Sequence, residues 1–173
     1  MKVNIACFTG NRVQRLPFIF EEMNTESTLI KNILEDEIKK SISKGYTHFI
    51  STMQLGIAMW AAEIVLRIKE FYPEITLEAI LPYENQASHW TENQRDRYFH
   101  ILSECNYVGY ASIHYIPSCN DLANKYIVDK SSLLIAIYDE NDKEAMTAVD
   151  YAKLKGLELV LIDISSIIKK SVD

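Results

Sequence analysis

Val3-Asn4-Ile5-Ala6-Cys7-Phe8 is a short apolar run that stops abruptly at Thr9-Gly10-Asn11-Arg12, and its reading decides the fold. Such a run reads as a strand buried within a sheet. A loop holding a hydroxyl, a glycine and a guanidinium directly after it lies where open α/β sheets bind their ligands. Gly10 permits a sharp turn or a close backbone approach, and Arg12 offers planar, permanently charged donors suited to phosphate. Taken alone, the tetrapeptide reads more simply as a turn with a surface arginine.

Outward from this strand, short apolar runs alternate with longer amphipathic stretches, the pattern of βα units feeding a mainly parallel sheet. Strands are expected over Val3–Phe8, His48–Ser51, Thr76–Leu81, Tyr107–Ala111, Leu133–Tyr138 and Glu158–Ile162. Helical spacing joins Leu29, Ile33, Ile38 and Ile42, and again Ala61, Val65, Ile68 and Tyr72. Further helices are expected over Glu92–Glu104, Leu122–Lys130 and Glu144–Lys155. Thr25, Ser27 or Thr28 is suited to cap the first helix, Thr91 the central one, and Gly45 and Gly156 stand where helices end. Pro73 and Pro82 bracket the third strand, and Arg12–Glu26, without periodicity, suits a ligand-facing loop or a surface excursion.

With 173 residues, 48% apolar and 24% charged, the chain suits one domain spanning residues 1–173 and is neither disordered nor membrane-embedded. A net charge of -6 argues against a general nucleic-acid surface. The start lacks a signal pattern, so a cytoplasmic location is expected. Cys7, Cys105 and Cys119 are odd in number and widely spaced, which suits reduced thiols; Cys119, near a helix start, is the more reactive candidate. His48, His89, His100 and His114 show no zinc spacing, so no metal is expected.

Polar and aromatic clusters recur at the expected strand ends: Ser51-Thr52-Met53-Gln54-Leu55-Gly56 with Trp60, Leu81-Pro82-Tyr83-Glu84-Asn85-Gln86 with Trp90, and Tyr138-Asp139-Glu140-Asn141. Together with Thr9-Gly10-x-Arg12, the Trp60-Ala61-Ala62-Glu63 helix start, Asn124-x-Tyr126-x-Val128-Asp129 and Ala136-x-Tyr138-Asp139, this ordered set resembles the YpsA-like family of the SLOG superfamily. That group includes the LOG proteins and the DNA-processing protein DprA. The resemblance implies a Rossmann-like three-layer α/β fold with a mainly parallel central sheet, and a pocket for a nucleotide-derived ligand such as an adenine nucleotide, NAD or ADP-ribose.

The residues agree with that implication. Thr9, Gly10 and Arg12 suit a phosphate, and Gly56 leads into a helix whose amino end carries partial positive charge. Trp60, Trp90 and Tyr138 suit an aromatic wall for a base, although packing is the commoner role of each; Glu84 and Gln86 suit a ribose or base edge. Asn124, Asp129 and Asp139 complete the candidate binding set, with no catalytic residue assigned. Thr52 stands where the resemblance leads one to expect glycine, Ala58 where it expects aspartate, and Lys143-Glu144-Ala145 where it expects Gly-Gly-Thr. The LOG-type Pro-Gly-Gly-x-Gly-Thr-x-x-Glu motif is absent.

Binding or sensing without turnover is therefore the leading expectation, with the chain free or as a homo-oligomer. The enzyme alternative is a nucleotide N-glycosidase or phosphoribohydrolase using Asp129, Asp139 or Glu84. An interaction scaffold with a degenerate pocket is the third.

Overall fold

The computed structural model describes residues 4–10 and 24–172; Asn11, Arg12 and most of the expected ligand-facing loop lie outside the described residues. Six strands, β1 (Asn4–Gly10), β2 (Tyr46–Ser51), β3 (Thr76–Tyr83), β4 (Tyr107–Ser112), β5 (Leu133–Tyr138) and β6 (Glu158–Asp163), form one sheet in the order β4-β3-β2-β1-β5-β6. Every neighbouring pair is parallel. Six helices alternate with them: α1 (Thr25–Ser43), α2 (Ile57–Lys69), α3 (Glu92–Glu104), α4 (Cys119–Lys130), α5 (Lys143–Leu154) and α6 (Ile164–Val172).

Strand alternation divides the core into two layers. Ala6 and Phe8 of β1 join Ile30, Leu34 and Ile38 of α1, most of α2, Tyr98 and Ile101 of α3 and Ile164 of α6 on one side of the sheet. Cys7 points the other way, to Ile127 and Val128 of α4 and Val149 and Ala152 of α5. The fold is thus the expected three-layer, Rossmann-like α/β sandwich.

The chain winds outward from β1 to β4, then crosses back to place β5 on the far side of β1. The connections leaving β1 and β5 therefore run in opposite directions, which makes the carboxyl ends of these two strands the topological switch point of the sheet.

Three local readings need correction. Asn24 caps α1, its side chain accepting from Ser27 N–H at 2.8 Å, because it is the residue that stays extended just before the first turn. Pro82 lies inside β3 rather than beyond it. The β2 pairing ends at Ala79, so that end of β3 is ladder-bonded only to β4 and spares the missing N–H. Nothing in the sequence reading anticipated α6, whose Ile164 and Ile167 close the first layer.

Burial pushes the Cys7 thiol up to about 12 and Cys105 up to about 11, which suits inert packing thiols. Cys119 is fully buried, with Sγ 3.9 Å from Asn120 Oδ1, and the expectation of a more reactive thiol there does not hold. Among the described residues no helix is long and apolar enough to cross a membrane, and no group of His, Cys, Asp or Glu is arranged to hold a metal ion.

Candidate functional site

At the end of β1, Gly10 is required by packing. A Cβ there would stand 2.3 Å from the carbonyl oxygen of Ile137 on β5 and 2.5 Å from Cγ1 of Ile57 at the start of α2. The close approach that glycine permits is thus made by the protein's own β5 and α2. Gly56 precedes that helix at φ 105° without a side-chain cap, and the first residues of α2 are buried.

Thr9 follows Cys7 by two residues and so shares its side of the sheet, the side covered by α4. Asn124 lies one turn before Ile127 and Val128 on the same side of α4. Thr9 is 6% exposed and Asn124 7%, and among the described residues neither side chain finds a hydrogen-bond partner. A buried polar group without a partner costs about 1–3 kcal/mol. Tyr138, at the end of β5, packs against the same layer.

One turn earlier on α4, Asn120 opens onto a cleft of about 180 Å³ between the ends of β2, β3 and β4. Gln54, Tyr83, Gln86, Trp90 and Tyr115 complete its wall. Tyr83 and Tyr115 meet edge to face at 5.4 Å, and Trp90 meets Tyr98 in the same way at 5.0 Å. Gln54 donates to Asn120 Oδ1 at 2.9 Å. Met53, at φ 59°, is held in the left-handed region by Ser51 Oγ, which accepts its N–H at 3.1 Å, and by Gln86, which donates to its carbonyl. A non-glycine residue kept in this sparsely populated conformation at a strand end is typical of a site fixed for binding.

The other expected residues are distributed differently. Trp60 is 1% exposed in the core beneath Lys31, on the α1 side, and contributes packing rather than a wall of the cleft. Asp129 sits at the far end of α4, near the amino edge of the sheet. Hydrogen bonds from Lys155 and Tyr151 hold its carboxyl below the usual carboxylate range, and it clamps α4 to α5. Glu84 lines a separate groove beside Arg95 and Tyr110. Asp139 accepts from the backbone and side chain of Asn141, both at 2.8 Å. The three carboxylates considered for hydrolysis therefore do not converge on one point.

The glycine-poor loop after β5 also has a physical account. Asp142 accepts from Glu144 and Ala145 N–H at 3.0 and 3.2 Å, so the amino end of α5 is taken by the protein's own carboxylate. Tyr115 and Asn120 were missed by sequence reasoning, while Gln54 and Tyr83 lay inside strand-end clusters already singled out.

A family model described as the YspA SLOG family, YpsA, matches residues 6–164. The chain belongs to the YpsA family of SLOG proteins. Among its relatives, a UPF0398 protein of Halalkalibacterium halodurans is 33% identical over 141 residues, covering 80% of this chain and 74% of that protein. A UPF0398 protein of Brevibacillus brevis is 31% identical over 129 residues, covering 72% of this chain and 68% of the relative.

Two solved structures share the fold of this YpsA-family chain. DNA processing protein A of Streptococcus pneumoniae superposes with a TM-score of 0.61 at 10% identity, over 92% of this chain and 50% of the other, so the chain spans about half of that protein. DNA processing protein A of Helicobacter pylori, whose structure describes a single-stranded DNA binding mode, superposes with a TM-score of 0.63 at 13% identity, over 99% of this chain and 74% of the other. This likeness corrects the expectation that a general nucleic-acid surface is absent. Net charge averages over all faces, whereas binding uses one, and the same fold serves a single-stranded DNA binder.

Proposed function

We propose that this YpsA-family protein binds a nucleotide-derived small molecule at the carboxyl edge of its sheet, as a binder or sensor rather than by turning it over. The observation that supports this reading is the face of α4, which presents Asn120 to an aromatic and amide cleft and, one turn on, carries the buried Asn124. Aromatic side chains stack on flat bases, and amides supply both donors and acceptors for base edges. The sugar and phosphate then run along α4 to Asn124 and Thr9, with Arg12 the nearby cation in sequence.

Calorimetric titration with AMP, NAD, ADP-ribose and the other nucleoside monophosphates tests it. Saturable binding is expected, and Trp90→Ala is expected to weaken it by about tenfold or more, the size of one lost base–aromatic stack. Absence of heat for every compound would remove the reading.

A second reading, contact with single-stranded nucleic acid, is favoured by Tyr107, Tyr110 and Tyr115, which stand 46–65% exposed on and just after edge strand β4. Exposed aromatics stack bases without sequence preference. The nearby Lys125 and Lys130 are paired with Asp121 and Glu78, which places this reading second. An oligo-dT anisotropy titration that saturates and weakens with salt is its expected result, with Tyr107→Ala/Tyr110→Ala abolishing it.

A further inference from the structure

We propose that the cleft selects bases carrying an amine at C6 of a purine or C4 of a pyrimidine, adenine and cytosine over hypoxanthine and uracil, and that Gln86 determines this specificity; the proposal rests on the nucleotide-binding reading above. Gln86 is 8% exposed and lines the cleft. Its Nε2 donates to the backbone carbonyls of Thr52 at 3.2 Å and Met53 at 3.4 Å, and lies 3.3 Å from the Tyr98 hydroxyl oxygen. Turning the amide over would set its carbonyl oxygen against two other carbonyl oxygens, acceptor facing acceptor. The backbone after β2 therefore fixes which end of Gln86 points inward.

The remaining hydrogen-bonding atom of this side chain is Oε1, and among the described residues no donor reaches it. A buried acceptor in the wall of a cleft is matched by a donor on whatever fills the cleft. Gln54 and Asn120 impose no such sign. Their bond joins two amides, and it survives if both turn over, so that pair offers either polarity. Gln86 is thus the group in this cleft whose polarity is set by the main chain. The amino groups of adenine and cytosine donate at the position where hypoxanthine and uracil carry a keto oxygen, which only accepts; the donor of the keto bases is the ring N–H one atom further along the edge, so an acceptor fixed opposite the amine is left facing an oxygen.

Calorimetry on the full chain with two pairs of probes, AMP against IMP and CMP against UMP, replaces the amine by a keto oxygen and turns the ring nitrogen beside it from an acceptor into an N–H donor. The amino nucleotide that binds is expected to do so at least about tenfold more tightly than its keto partner, the loss expected when a buried acceptor goes unmatched. Gln86→Met, of similar volume, is expected to bring the ratio to near one. Should that variant fail to melt cooperatively, the wild-type ratios decide alone. Amino and keto partners binding equally would overturn the role of Gln86 while leaving nucleotide binding intact. No heat with any of the four would overturn both.

Discussion

Gly10→Ala is expected to lower the stability of the fold by about 3 kcal/mol, the upper end of overpacking costs. The added carbon would meet Ile137 O at 2.3 Å and Ile57 Cγ1 and Cβ at 2.5 and 2.6 Å. A backbone carbonyl in a sheet and the Cβ of a residue opening a buried helix cannot swing aside as the tip of a long side chain can. Relief requires β5 or α2 to move, and the loop leading into α2 carries Gln54 of the cleft. For a chain of this size the loss corresponds to a fall in Tm of roughly 6–12 °C, readable by thermal denaturation. A melt within a degree or two of the parent would mean that β1, β5 and α2 do not meet this closely.

The two tryptophans make the second large contrast. Trp60, 1% exposed and surrounded by the first core layer, is expected to cost about 3–5 kcal/mol when replaced by alanine, through lost transfer energy and the cavity left behind. Trp90 is only half-buried and its edge contact with Tyr98, at 5.0 Å, is of a kind worth about 0.5–1.5 kcal/mol. Trp90→Ala is therefore expected to leave a stable protein with a damaged cleft, and Trp60→Ala a damaged core. Chemical denaturation of the two variants checks the order; the reverse ranking would contradict these placements.

These contrasts also show where sequence was informative. The continuous apolar run Leu133–Tyr138 emerges as β5 with the same limits, because a strand buried on both faces leaves no ambiguity of period. Glu92–Glu104 emerges unchanged because Thr91 and Gln94 form a reciprocal cap that marks its start. Helix α6 follows β6 without a turn signal, and its short apolar stripe has meaning only once α1 is beside it.

The candidate site was legible in part. Thr9, Asn124 and Tyr138 share one layer because a strand period of two and a helix period of about 3.6 put them there. Trp60 was expected in an aromatic wall but is buried, because α2 is apolar on nearly every side through its first two turns and the spacing of Ala61, Val65 and Ile68 marks only one stripe of it. The position of Tyr115 depends on how the loop after β4 folds back over Tyr83, and no local pattern encodes that path. Where the resemblance led one to expect Gly-Gly-Thr, the chain has Lys143-Glu144-Ala145, and the carboxylate of Asp142 caps the helix that begins there.

Asn124→Ala tests the central claim most directly, by pairing a thermal melt with an AMP titration. A buried amide kept for a ligand should be a burden on the unliganded fold. The account predicts a Tm unchanged or raised by about 2–4 °C, together with AMP binding weakened about tenfold or more. A lowered Tm with AMP bound as tightly as before would contradict it, and would make Asn124 part of the packing rather than of a site.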